Sequence, residues 1–202
     1  MYRILGTSLQ SRDITVVIPS YDTWPDGDAL DQASQYVFFP SFSSMFPRQR
    51  PQTNNRIRKC IDWCKHNITR MNGNPNRIHL VGHSSGAHIC ALALIEGCCT
   101  SRHHDVVNGY VGLSGVFSIP DHFEWEKQRG VEELSPMAPA NRRRSQSEFP
   151  NEISPSLTPI EMFQTDRVLL LHGSKDNVVP FRSTTRFRDS KLLKRVKHVR
   201  CR

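Results

Sequence analysis

The segment that most constrains this chain is Gly82-His83-Ser84-Ser85-Gly86, set where the apolar run Arg77 to Val81 meets an Ala- and Leu-rich helical pattern from Ala87 to Ile95. The junction reads as a strand, a sharp turn and a helix, with Ser84 at the apex. Glycine two residues to either side lets such a turn close, because a side chain there would crowd a strained backbone. An ordinary strand-to-helix connection has the same outline. The apolar flanks favour the sharper form, in which the serine hydroxyl is lifted clear of the chain.

The rest of the chain arranges itself around that junction. Tyr2 to Gln10 has helical spacing, and Ile14 to Ile18 reads as a buried strand ended by Pro19. Tyr21 to Gly27 is a loop by its Pro, Gly and Asp content, and Ala33 to Asn54 (33–54) shows no period and reads as an irregular insertion. Arg56 to Asn72 is a firm helix, with Ile57, Cys60, Ile61, Cys64 and Ile68 on one face and Asn72-Gly73 as the stop. Strands are expected at Arg77 to Val81, Gly109 to Leu113, Arg167 to Leu171 and Val196 to Cys201, and helices from the Ser84 turn to Gly97 and over Ser183 to Arg195. Residues 117–160, rich in charge and proline, read as a cap or loop excursion. Alternating strands and helices predict an α/β fold with a mostly parallel sheet covered on both faces, in one domain over 1–202. Functional groups in such sheets gather at the carboxyl ends of the strands.

Composition narrows the functional classes. No apolar stretch approaches the roughly 20 residues that cross a bilayer, and Met1 to Ser11 has no apolar core of a secretory leader, so a cytoplasmic protein is expected, with peripheral membrane contact still compatible. The net charge of +8 lies in Arg182 to Arg202, where nine basic residues face Asp189 alone, while the remaining chain balances at 18 basic and 18 acidic. Phe187 is the one aromatic among those cations, so base stacking lacks its equipment and no nucleic-acid partner is expected. Of six cysteines, Cys60, Cys64 and Cys90 fall on faces predicted to be buried, and Cys60-x-x-x-Cys64 has no matching Cys/His pair. Free packed thiols, no metal and no cofactor are expected.

A serine hydroxyl becomes a nucleophile when a histidine takes its proton and a carboxylate orients the resulting imidazolium. Asp176 is the strongest acid candidate, since it follows the strand Arg167 to Leu171 in a Gly-containing loop; its alternative is a cap for the helix near Phe181. The Ser85 amide, at the start of the helix, is a ready donor to an oxyanion. The base is unassigned: His83 and His88 flank the turn without an easy path back to Ser84, His172 precedes the acid on its own strand, and His122 sits in the cap. His198 has the right chain order but lies in the last strand, which makes it a weak candidate.

These residues, taken in order, resemble the α/β-hydrolase superfamily, in the carboxylesterase branch of isoprenylcysteine methylesterases and arylformamidases. The matching pieces include Leu9 to Ile14, Tyr21 to Gly27, Gly73 to Ile78, Gly82 to His88 (GHSSGAH), Leu113 to Val116, Asp121-His122-Phe123 and His172 to Pro180 (HGSKDNVVP). The resemblance implies Ser84 as nucleophile, Asp176 as triad acid and Ser85 as oxyanion-hole donor. Family members also carry an HGG-like loop before the helix at Tyr2 and a Gly-x-x-His after the final strand. Neither occurs here, so an incomplete version of the fold is expected. The implied activity is hydrolysis of carboxylic ester or amide bonds in a small, hydrophobic substrate, to which Trp24, Phe123 and Trp125 would lend apolar surface. The alternative is an impaired scaffold that binds without turnover.

Overall fold

Four short apolar runs set the architecture of the computed structural model, which describes residues 2–19, 56–95, 107–134, 154–157, 163–190 and 193–201. Ile78–His83 (β1), Val107–Leu113 (β2), Arg167–Leu171 (β3) and His198–Cys201 (β4) pair in the order β1-β2-β3-β4, each pair parallel. The described helices are Tyr2–Gln10 (α1), Arg56–Asn67 (α2), Ser85–Ala93 (α3), Ile119–Gln128 (α4) and Phe181–Arg188 (α5). In register, His83 pairs with Leu113 and Leu113 with Leu171, so β1, β2 and β3 end at one level. Two backbone hydrogen bonds extend that level past the strands: Ser84 N–H donates to Leu113 O at 2.9 Å and Ser114 N–H donates to Leu171 O at 2.9 Å.

The core explains why α3 follows β1 so closely. Every residue from Ala87 to Ala93 is buried, and Ala87 and Ala91 are fully covered, their small side chains letting the helix axis approach the sheet. A helix apolar all round belongs inside. Beneath it, Phe117 and Phe187 stack with centroids 4.2 Å apart, and Tyr110 satisfies its buried hydroxyl by donating to Ala87 O at 2.7 Å. The predicted face of α2 is the one that buries Ile57 and Cys64, although Cys60 stays half-buried. A 3-10 turn, Ile68–Met71, continues α2, and Asn72 then takes the left-handed conformation (φ 60) while Gly73 N–H donates to Ile68 O at 3.0 Å.

Several expectations shift. The run Ile14 to Ile18 is not a buried strand: residues 14–19 are irregular, and Ile14 and Ile18 are exposed at 46% and 55%. A β-branched run becomes a strand only where a neighbouring edge accepts its hydrogen bonds, and among the described residues none pairs with it. The helix expected to reach Arg195 stops at Arg188, because Ser190 Oγ donates to Phe187 O at 2.6 Å and competes with continued helical bonding; a separate 3-10 turn spans Leu193–Arg195. The described part of 117–160 contains α4, capped by Ser118, whose side chain accepts from Asp121 N–H. The basic end is partly neutralised by ion pairs of Arg186 with Asp121, Arg188 with Asp189 and Lys197 with Asp166. The loop at Tyr21 to Gly27, the insertion 33–54, Trp24, Cys98 and Cys99 lie outside the described residues, as does most of the excursion after residue 134.

Candidate active site

Ser84 stands between β1 and α3 with φ 54 and ψ −120, a region that non-glycine residues rarely occupy. Holding it there costs on the order of 1–3 kcal/mol, which the surrounding packing must offset. Gly82 shows how tight the bend is: a Cβ built on it would lie 2.4 Å from Gly86 O and 2.6 Å from Ala87 Cα. The Ser84 hydroxyl does not cap α3. Its carbonyl instead opens the helix, accepting from Ala87 N–H at 3.1 Å and His88 N–H at 3.3 Å. The Ser85 amide lies in the first helical turn, where N–H groups have no intrahelical acceptor and the helix dipole favours negative charge.

Asp176 belongs to a loop that rises from the end of β3. Its Oδ1 accepts from Val178 N–H at 2.9 Å and Val179 N–H at 3.0 Å, and its own N–H donates to Gly173 O at 3.0 Å. These are the bonds of a side chain that shapes its own turn. It does not cap α5, whose preceding residue is Pro180. Burial would raise the Asp176 carboxyl, but the Val179 and Val178 amides, the Ser114 hydroxyl and nearby His172 outweigh it and hold the group below its ordinary range. His172 fastens the same loop from beneath. Its Nε2–H donates to Val179 O at 2.9 Å and lies 3.5 Å from Asp176 Oδ2, while its Nδ1 faces the Thr184 hydroxyl at 2.6 Å. That leaves His172 fully committed to structure.

The structure brings Ser84, Ser85 and the Asp176 loop to one end of the sheet, with Ser114 just past the strand between them. It does not bring His198 there. His198 pairs with Arg167 at the amino end of β4, four residue rises or about 13 Å below the level of Leu171, and it is exposed. His83 ends β1, half-buried. His88 is buried, with Nδ1 2.6 Å from Val116 O, and burial lowers it to about 4. His122 is buried in α4 against Glu126 (Nε2 to Oε1, 3.2 Å).

Three features escape sequence reading. Ser114 is a second strained serine (φ 44), at the end of β2. Helix α4 is fixed over the acid loop, since Trp125 Nε1–H donates to Asn177 O at 3.3 Å and Asp121 pairs with Arg186. The third is the buried pair His122 and Glu126. The signal for α4 was present in Ser118-Ile119-Pro120-Asp121, a capping serine followed by proline and an acidic first turn. Burial pushes the Cys60 thiol to about 11 and Cys90 to about 12, so these thiols stay protonated and unreactive. Among the described residues no group of three or more His, Cys, Asp or Glu side chains could hold a metal ion, and no helix is long and apolar enough to cross a membrane.

Comparison with known proteins bears on the family and the fold. The BD-FAE family model matches residues 34–191. A probable isoprenylcysteine alpha-carbonyl methylesterase of Oryza sativa subsp. japonica is 26% identical over 192 residues, covering 91% of this chain and 41% of that protein. The isoprenylcysteine alpha-carbonyl methylesterase of Arabidopsis thaliana is 28% identical over 209 residues, covering 93% and 41%. The chain thus spans about two fifths of the length of these curated relatives. Among solved structures, a sugar hydrolase of Lactococcus lactis superposes with a TM-score of 0.52 at 16% identity, over 85% of this chain and 67% of that one, a likeness that shows the α/β-hydrolase type of fold.

Proposed function

Because the chain belongs to the BD-FAE family, we propose that it is a serine hydrolase of carboxylic ester bonds that works through an acyl-enzyme on Ser84. The observation that carries this reading is the Ser84 backbone, strained at φ 54 and ψ −120 on a turn between strand and helix, with its hydroxyl released from capping. Strain of that kind persists where the surroundings over-determine it, and such places cluster at sites of chemistry. The methylesterase names of the relatives support the ester class.

In this mechanism the Ser84 hydroxyl oxygen adds to the acyl carbon while its proton passes to a general base, a role that His88, His122, His172 and His198 are not placed to fill. The Ser85 N–H, at the positive end of α3, donates to the oxyanion that forms on the former carbonyl. The same proton then goes to the departing alcohol, leaving an ester on Ser84 that water hydrolyses by the reverse proton path. Asp176, kept anionic by its amide and hydroxyl donors, orients the base and stabilises it when charged. β1 and β3 are two strand spacings apart, about 10 Å, with β2 between the strand that leads to Ser84 and the strand that leads to Asp176. A hydrophobic acyl or prenyl-like substrate suits Phe123 and Trp125 on the helix that overlies the acid loop.

A second reading, a scaffold that binds without turnover, is favoured by one observation: His198 stands at the wrong end of the sheet to serve as base. A fluorophosphonate probe and a small activated ester, applied to the chain and to Ser84→Ala, separate the two. The enzyme reading expects labelling and hydrolysis that vanish in Ser84→Ala, and a rate about 10⁴-fold lower in Asp176→Asn. Labelling absent from both proteins would leave the scaffold.

A further inference from the structure

We propose that His88 and His122 share one buried water beneath α4, a site built for a single small molecule that donates two hydrogen bonds. The argument is independent of the esterase reading. His88 Nδ1 lies 2.6 Å from Val116 O, and a carbonyl only accepts, so the proton is on Nδ1 and Nε2 carries the lone pair. His122 Nε2 lies 3.2 Å from Glu126 Oε1, so the proton is on Nε2 and the lone pair on Nδ1. Burial favours the neutral form of both rings. The two remaining nitrogens, His88 Nε2 and His122 Nδ1, are buried and have no hydrogen-bond partner.

Two acceptors cannot satisfy each other. The group between them must bring two donors, and water is the smallest that does, with the two to four polar neighbours a buried water requires. The chain path anchors the two residues on carbonyls two positions apart. Val116, which holds His88, leads through Phe117 to Ser118, the cap of α4, and His122 N–H donates to Ser118 O at 3.0 Å. The rings are close enough to repel each other when charged. Such a water would tie α3, which begins at Ser84, to α4, which carries the Trp125 contact with the acid loop. Protonating one ring turns its acceptor into a donor, and the water then turns to accept from that ring while still donating to the other. The charged groups facing His122 are Glu126 and Arg129 on α4 and Asp176 across from it.

The test is histidine NMR on the full chain labelled with ¹⁵N, near neutral pH. Long-range correlations are expected to show His88 as the Nδ1–H tautomer and His122 as the Nε2–H tautomer, both neutral. The ring Hε1 proton of each should cross-relax with a long-lived water. A reversed tautomer, an imidazolium at either position or the absence of the water cross-peak overturns the proposal. In His122→Phe the water cross-peak at His88 should be lost; an unchanged peak there would mean that the water is not shared. The wild-type measurement stands by itself if that variant fails to fold.

Discussion

Replacing His88 with glutamine should flatten the acid side of this protein's stability curve. The wild-type ring falls from its ordinary 6.5 to about 4 on folding, because burial penalises the imidazolium. At about 1.4 kcal/mol per pH unit, that drop makes the group worth about 3.5 kcal/mol in full and about 3 kcal/mol between pH 7 and pH 4. The sign follows from which state binds the proton. Between those two values the unfolded chain is protonated and the folded one is not, so acid favours unfolding. The stability is fully present above about pH 6.5, declines as pH falls and is gone below about pH 4. Glutamine keeps an amide donor for Val116 O and has no charge to gain. Urea unfolding followed by circular dichroism, from about pH 7 down to pH 4, should therefore show the wild type losing about 3 kcal/mol more than His88→Gln. His122 adds loss in the same direction, and the depressed Asp176 carboxyl adds more at still lower pH. The Asp176 carboxyl is common to the two proteins and cancels in the comparison, and the smaller His122 contribution changes only by its repulsion with the His88 ring. Equal slopes would refute the reasoning, since they would mean that His88 meets the proton equally well in both states.

Two further substitutions probe the elbow and its cover. Gly82→Ala places a methyl group 2.4 Å from Gly86 O, so it should lower the urea midpoint by an amount equivalent to about 1–3 kcal/mol and abolish probe labelling at Ser84. Gly173→Ala, with nothing within 4 Å of the new carbon, is the control expected to do neither. Ser118→Ala removes the acceptor for Asp121 N–H and should cost about 1 kcal/mol, read as faster hydrogen exchange in the first turn of α4. Unchanged exchange there would show that the helix start is held by other contacts.

What the sequence determined by itself is local. The Ser84 turn was legible because an apolar β run, two glycines and an alanine-rich helix must meet in a tight bend. β3 was legible at both ends, because RVLLL between polar residues leaves no other period to fit. The stop at Asn72 and the Asp176 loop were also legible, since each depends on residues within a few positions. The tertiary structure decided what depends on partners distant in the chain. Ile14 to Ile18 has strand composition but no described edge to pair with, and His198 has the right order in sequence but the wrong height in the sheet, because strand register is set by neighbours and not by composition. The charged stretch that hid α4 became a helix because Ser118 caps it and Asp121 and Trp125 bond to residues more than fifty positions away. His88 and His122 look like isolated histidines in the sequence; only folding buries both lone pairs, where each needs a donor that the other cannot supply.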